Sequence, residues 1–321
     1  MSKRLLVTEF WGLGDLAIAS EFLKRASAEF DLMLLAKPYA TDLAKELWPN
    51  IHVLSFVAPW TQFRGKYRLH RWPWSELKKV IAEIRAFNPQ VALSGRWDPR
   101  DHVMLRLSGA RRRIGFPRRG SQVLLTDALP LVDQDAPRTA QWDAISHHLQ
   151  LLPAPCTKTA SESERKLVVH SGAAQALRVW PIKRYATLVE QIRNKGWKTH
   201  ILCDQSQMEE WQDQGEDPVV PTSPLELIQE LKWGSMFVGN DSGPGHLAAA
   251  LGIPTFTIFG PQRPEWFLPN HPKAGWIEGK PCPHKPCFDY CRFPTPSCIQ
   301  DLRLEEVSTK IHDWLSTIES A

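Results

Sequence analysis

Asp15 ends the run Thr8-Glu9-Phe10-Trp11-Gly12-Leu13-Gly14-Asp15. The apolar stretch at 4–8 reads as a strand, and helical spacing follows over 15–28, with Leu16, Ala19, Leu23 and Ala26 on one face. A carboxylate at that helix start lies at the edge of the sheet where doubly wound folds bind ligands. There it can take a proton from a hydroxyl. Spacing alone favours the plainer reading, an acidic first-turn residue favoured by the helix dipole and doing no chemistry. A second constellation is Phe237-Val238-Gly239-Asn240-Asp241-Ser242-Gly243-Pro244-Gly245-His246, followed by an Ala/Leu run. A buried strand, a glycine-containing turn and a helix start put unpaired N–H groups and a positive helix end in one place, which suits a phosphate. Asp241 or Ser242 is expected to cap the helix, with His246 in its first turns facing the same site. A third run, His170-Ser171-Gly172-Ala173-Ala174 through Arg178-Val179-Trp180-Pro181, also follows a strand. Its small residues Ser171 and Gly172 leave room for a ligand against backbone N–H groups, and Arg178 can fork onto phosphate oxygens.

The elements needed to position these residues are legible as alternating strands and helices. Strands are expected at 4–8, 31–36, 51–57 and 91–94, and helices at 15–28, 39–47 and 74–87. The last of these helices stops before Asn88-Pro89, because a residue preceding proline is pushed out of the α region. The polar, proline-containing stretch 153–166 is the best domain boundary. The expected domains are therefore 1–155 and 156–321. A second series follows, with strands at 167–170, 198–203, 235–239 and 255–259. Helices are expected at 182–194, 205–214, 224–231, 243–251 and 302–318. Repeated βα units predict two parallel, doubly wound α/β halves facing across a cleft. The last helix is a candidate to pack back on the N-terminal domain.

Charge is unevenly spread. Residues 1–155 hold 22 Lys and Arg against 15 Asp and Glu, whereas the remainder holds 17 against 20. Within 60–119 the count is 15 against 4, which points either to an anionic partner or to a solvated basic face. Arg64, Lys66, Arg68 and Arg71 follow the third strand, on the same edge as Asp15. Arg111–113 either join them or face solvent. Trp60, Trp72 and Trp74 are expected in the core, with sugar stacking as the alternative. No apolar run approaches the roughly 20 residues needed to span a bilayer, and no signal peptide is legible, so a cytoplasmic protein is expected. Cys282, Cys287, Cys291 and Cys298 cluster late in the chain, with His284 nearby. The spacing C-x4-C-x3-C-x6-C leaves reduced thiols and a structural zinc as alternatives. Asp133-Gln134-Asp135 is formally a D-x-D but is read as a solvated loop.

Together the Gly-Leu-Gly-Asp start, residues 110–116, the Arg178-Val179-Trp180-Pro181 segment, the 240–252 block, Phe259-Gly260-Pro261 and the late cysteines before Cys298-Ile299-Gln300-Asp301-Leu302 resemble glycosyltransferase family 9, the bacterial lipopolysaccharide heptosyltransferases. The resemblance implies the GT-B architecture, with an N-terminal domain binding a lipid-linked acceptor and a C-terminal domain binding an ADP-activated heptose. By motif, Asp15 resembles the family's catalytic aspartate, and Asp241, Ser242, Gly243 and His246 its nucleotide-site residues. Arg178 stands where the family often has lysine, and Ala173-Ala174 lacks the hydroxyls of some members, so phosphate contacts there fall to backbone N–H groups. The expected activity is inverting heptosyl transfer to an anionic inner-core acceptor at the inner membrane surface, with no required cofactor, no nucleic-acid partner and no transmembrane segment. A nucleotide-sugar epimerase or hydrolase of the same architecture, and a non-catalytic nucleotide-binding relative, are the alternatives.

Overall fold

The computed structural model describes residues 3–62, 67–133, 135–152, 165–287 and 290–319. The chain divides into two compact units, Met1–Pro155 and Cys156–Ala321. In the first, β1 (Lys3–Glu9), β2 (Phe30–Ala36), β3 (His52–Ser55), β4 (Val91–Ser94), β5 (Arg112–Gly115) and β6 (Asp127–Ala128) form one parallel sheet, in the order β3-β2-β1-β4-β5-β6. Its helices are α1 (Leu13–Ile18), α2 (Ser20–Glu29), α3 (Ala40–Leu47), α4 (Trp74–Phe87), α5 (Pro99–Leu107) and α6 (Ala140–Leu149). Leu5, Leu6 and Val7 of β1 and Leu32 to Ala36 of β2 are all buried. Continuous apolar runs of this kind are what parallel strands covered on both faces require.

Two expectations need correction here. The helix expected over 15–28 is two, α1 and α2, separated at Ala19, where ψ relaxes to −8°. The strand expected over 51–57 is only the four residues of β3. Among the described residues from 95 to 150 there are also elements that the pattern does not suggest. In α5, Pro99 opens the helix and the Asp98 side chain accepts from the Arg100 N–H, an ordinary N-cap with proline at the first position. The helix hides in the sequence because its inward face carries Asp101 and His102, both fully buried.

In the second unit, β7 (Lys166–His170), β8 (Lys198–Leu202), β9 (Met236–Asn240), β10 (Thr255–Phe259) and β11 (Gly275–Glu278) form a parallel sheet in the order β11-β10-β9-β7-β8. Its helices are α7 (Ile182–Arg193), α8 (Met208–Asp213), α9 (Pro224–Lys232), α10 (Gly243–Ala250), α11 (Pro264–Phe267), α12 (Ser297–Gln300) and α13 (Leu304–Glu319). The closing helix α13 packs within its own unit. Its apolar stripe, Val307, Ile311, Trp314, Leu315 and Ile318, is consumed in the core of its own unit, against β10, β11 and α7.

Each sheet reverses its strand order once, between β1 and β4 and between β7 and β9. Chains leaving two such strands diverge to opposite faces and open a crevice at the carboxyl ends. Asp15 follows β1, whereas Ser171 and Asp241 follow β7 and β9. The second crevice is tied together by Asn240. Its Oδ1 accepts from the Trp180 backbone N–H (3.1 Å) and the Tyr185 hydroxyl (3.0 Å), and its Nδ2 donates to the Ser171 carbonyl (2.6 Å). All four residues are buried. Substituting Asn240→Ala strands these partners, and unfolding followed by tryptophan fluorescence should show a loss of about 3 kcal/mol or more. A loss under about 1 kcal/mol would show that the hub is dispensable.

Candidate functional site

Arg96 and Asp15 meet at the first unit's strand-order reversal. β1 delivers Glu9 and the turn to α1, and β4 delivers Ser94, Gly95 and Arg96 beside it. Gly95 is required there, since a Cβ would come within 2.7 Å of the Trp142 ring. The Arg96 Nη2 donates to the Asp15 Oδ1 in a short ion pair, and its Nε lies 3.6 Å from the Glu9 carboxylate. The other Asp15 oxygen accepts from the Gly12 N–H at 3.0 Å. The guanidinium lies over the Trp11 ring, 5.3 Å from its centroid. Its backbone is pinned too: the N–H donates to the Ser94 hydroxyl (3.1 Å) and the carbonyl accepts from His102 Nε2 (3.2 Å). Because a carbonyl can only accept, His102 carries its proton on Nε2 and takes the Ser121 hydroxyl at Nδ1, 2.9 Å away.

This network holds carboxylates where water is scarce. Burial pushes Glu9 up to about 7, with Arg96 opposing and Asp15 adding to the shift. Burial likewise pushes Asp101 up to about 7. The Asp98 charge adds to that, and the hydrogen bond from the Trp60 indole, 2.8 Å, works against it. Burial opposes the charge on Arg96, but Asp15, Glu9 and Asp101 outweigh it, so the guanidinium is held charged.

Arg96 also lines a pocket of the first unit with Trp11, Tyr67, Leu69, Trp72, Trp97, Asp98, Pro99, Arg100, Arg118 and Arg119. The indole N–H groups of Trp11 and Trp72 are buried with no hydrogen-bond partner. Cationic guanidinium groups and uncommitted buried N–H donors make a wall suited to an anionic, polar molecule. Arg138 lies over the Trp97 ring and within electrostatic reach of Arg96 and Asp15.

The cations picked out by sequence lie mostly elsewhere. Arg64 and Lys66 fall outside the described residues. Arg68 and Arg71 are exposed and do not line the pocket. Arg112 pairs with Asp127 at 2.9 Å, and Arg113 donates to the Leu124 and Ala110 carbonyls, so both brace β5. Arg111 is exposed. Trp60 is buried against Phe10 and Phe56, as its core reading expects, while Trp74 is half-exposed. Asp133 and Asp135 are exposed, and Gln134 lies outside the described residues.

In the second unit, Ser242 stands at the N-cap of α10, but its hydroxyl does not cap the helix and is buried without a partner. Asp241 is buried and meets Arg178, with Nη1 and Oδ2 3.3 Å apart. His246 is buried in the first turn of α10. Ser171 is committed to the scaffold: its N–H donates to the Leu202 carbonyl, its hydroxyl to Gln207, and it accepts from the Trp211 indole. Gly172 is compelled, since a Cβ would lie 2.5 Å from the Asp204 carboxylate. An unsatisfied hydroxyl, a helix N-terminus and an arginine at the β7–β9 reversal form a phosphate-compatible corner.

The profile of glycosyltransferase family 9 (heptosyltransferase) matches residues 121–295. The chain belongs to glycosyltransferase family 9. A curated relative, lipopolysaccharide heptosyltransferase 1 of Campylobacter coli, is 28% identical over 112 residues, which cover 31% of this family 9 chain and 33% of that protein. The aligned part thus spans about a third of the relative's length. Among solved structures, the family 9 glycosyl transferase from Veillonella parvula superposes with a TM-score of 0.78 at 17% identity, covering 99% of this chain and 98% of that one. The Escherichia coli heptosyltransferase WaaC with ADP gives 0.75 at 13% identity, covering 97% and 99%. These likenesses show the fold, the GT-B type of two parallel-sheet units expected from sequence.

The four late cysteines of this family 9 chain line one small pocket with His284 and Lys285. Burial pushes the Cys298 thiol up to about 11, with Lys285 opposing and the other three cysteines adding to the shift. Among the described residues no group of three or more His, Cys, Asp or Glu is arranged to hold a metal ion. No helix among them is long and apolar enough to cross a membrane.

The buried Asp101 yields a pH signature. Its folded value lies above its ordinary 3.8, so the native state keeps a proton that the unfolded chain gives up. That stabilisation is complete below the ordinary value and disappears as pH climbs through about 7. Asp101→Asn, which still accepts from the Trp60 indole, should match the parent near pH 4 and exceed it at pH 8, by on the order of 3 kcal/mol. Thermal unfolding across that range checks it, and equal stability at pH 8 would contradict the assigned protonation.

Proposed function

We propose that this family 9 chain transfers a heptose-type sugar from ADP-heptose to an anionic lipopolysaccharide inner-core acceptor, with inversion at the anomeric carbon. The observation that carries this reading is the Asp15 carboxylate at the start of α1, one guanidinium away from a pocket of arginines and tryptophans. Asp15 takes the proton of an acceptor hydroxyl as that oxygen bonds to the anomeric carbon. The bond from that carbon to the diphosphate breaks, and ADP leaves with the electron pair. A single displacement of this kind inverts the centre.

The leaving diphosphate gathers negative charge. It is met by the first N–H groups of α10 at Gly243, the Ser242 hydroxyl and the Arg178 guanidinium. Asp241 orients Arg178 rather than meeting the anion itself. His246, and the backbone N–H at Gly172, complete the donor side. Ser171 serves by holding the floor of that site. On the acceptor side, Arg96, Arg118 and Arg119 answer carboxylates or phosphates, and the Trp11 and Trp72 indole N–H groups answer sugar oxygens. Arg68 and Arg71, exposed on the same stretch of chain, then meet the charged surface that carries the acceptor, the cytoplasmic face of the inner membrane.

Asp15→Asn should lower turnover by about 10²–10⁴-fold or more while ADP still raises the melting temperature as it does for the parent. Full activity in that variant would remove Asp15 as the base. Stabilisation by UDP and not by ADP would overturn the donor. Consumption of ADP-heptose at the same rate with and without acceptor would favour hydrolysis over transfer.

A further inference from the structure

A cation in contact with a carboxylate stabilises its charged form and weakens its pull on a proton. Arg96 makes such a contact with Asp15, from Nη2 to Oδ1. The same guanidinium faces a second carboxylate: Oε2 of Glu9 lies 3.6 Å from its Nε. Glu9 is the last residue of β1 and is buried, whereas Asp15 is part-exposed. The Trp11 N–H, donating to Oε1 at 3.1 Å, holds Glu9 in place. That hydrogen bond needs an oxygen but no charge. A buried charge is costly, so it points to a use for the charge itself, and the cation in reach is Arg96.

We propose that Glu9 is a positioning residue for the transfer: it shares the charge of Arg96, so that Asp15 keeps its strength as a base. The inference rests on Asp15 being that base. Two carboxylates around one guanidinium carry one negative charge more than it balances. The two are close enough to repel. That repulsion is relieved when Asp15 takes up the proton of the acceptor hydroxyl. With Glu9 neutral, Asp15 and Arg96 form a balanced pair, and protonating Asp15 leaves the cation without a counter-charge in contact. The Glu9 charge appears near neutral pH, because burial pushes its carboxyl up to about 7, with Arg96 opposing and Asp15 adding to the shift. The other groups acting on it are Lys37, which follows β2, Asp101 on α5, and the Tyr39 hydroxyl, which burial keeps protonated throughout that range. Arg138, ahead of α6, acts on Arg96 and Asp15. Below about 7 the cluster opposes proton uptake by Asp15, and above it the Glu9 charge favours it.

The test is the single-turnover rate of the full chain with ADP-heptose and saturating inner-core lipopolysaccharide acceptor, between about pH 5.5 and 8.5. The parent rate should climb by about tenfold as Glu9 ionises. Glu9→Gln, which can still accept from the Trp11 N–H, should stay flat across that range, near the parent's low-pH rate. Asp101→Asn should keep the climb, because that carboxyl titrates in the same range but its oxygens meet Trp60 and Ser94. A Glu9 that merely supports the fold would give a variant slowed alike at every pH with the climb intact, and that result overturns the proposal. A flat parent profile, or a climb lost in Asp101→Asn, overturns it as well, and neither comparison needs Glu9→Gln to fold. Asp15→Asn separates the two ideas. If it is inactive while the parent profile is flat, only the role of Glu9 falls. If it is active, the base assignment falls and takes the role of Glu9 with it.

Discussion

One arginine held between two carboxylates organises the first unit. Arg96 is half-buried, and Glu9, on one side of it, is shut away from water. A buried carboxylate without a cation would be costly, and a buried guanidinium without a carboxylate more so. Their pairing lets both stand at the carboxyl end of the sheet. Asp15 is the third member and the one nearest solvent. The surrounding structure serves this arrangement. Gly95 gives way to Trp142, His102 holds the Arg96 carbonyl, and Trp60 and Ser94 satisfy the neighbouring Asp101.

The second unit solves a different problem with the same topology. Its reversal point is held by a neutral hub, Asn240, which joins the chain after β7 to the start of α7 and the end of β9. A neutral amide suits the purpose, because it spends donors and acceptors without adding charge to a corner compatible with phosphate. The charged pair there, Arg178 with Asp241, is set one residue further out. The Ser242 hydroxyl, which by type belongs to the helix as its cap, is left without a partner instead.

Much of this is legible in the sequence. Four of the five strands of the second unit are legible as short runs with apolar residues, while β11, Gly-Trp-Ile-Glu, carries too little pattern to be read, and the strand-turn-helix corner at 237–246 has the composition its backbone demands. Asp15 sits where its run of glycines and its helix start put it. The partner of Asp15 was not readable. Arg96 is 81 residues away, in the stretch Gly95-Arg96-Trp97-Asp98 just past the strand expected at 91–94, where no local pattern marks it. Only the strand order, with β4 placed beside β1, brings the two together, and strand order is a long-range property with no local trace. Counting cations pointed to the stretch at 64–71. Among its described members, Arg68 and Arg71 are solvated, and the pocket draws its cations from the loops after β4 and β5 instead. The inward face of α5 was missed for a related reason: Asp101 and His102 look like surface residues until their partners Trp60, Ser94 and Ser121 are known.

The excess of cations in 60–119 also has a smaller reach than its arithmetic suggests. Arg96 faces Asp15 and Glu9, Arg100 faces Asp98 in two contacts, and Arg112 faces Asp127. Each pair is close to neutral when seen from a Debye length away. Those three cations therefore add little to the field a distant anion feels, and long-range steering falls to exposed cations such as Arg68, Arg71 and Arg111. At contact the situation reverses: the guanidinium edges and the bare indole N–H groups are directional and poorly hydrated, and they act over a single hydrogen-bond length. A surface of this kind divides the work: its exposed cations draw anions in, and its paired guanidinium edges sort them once they touch.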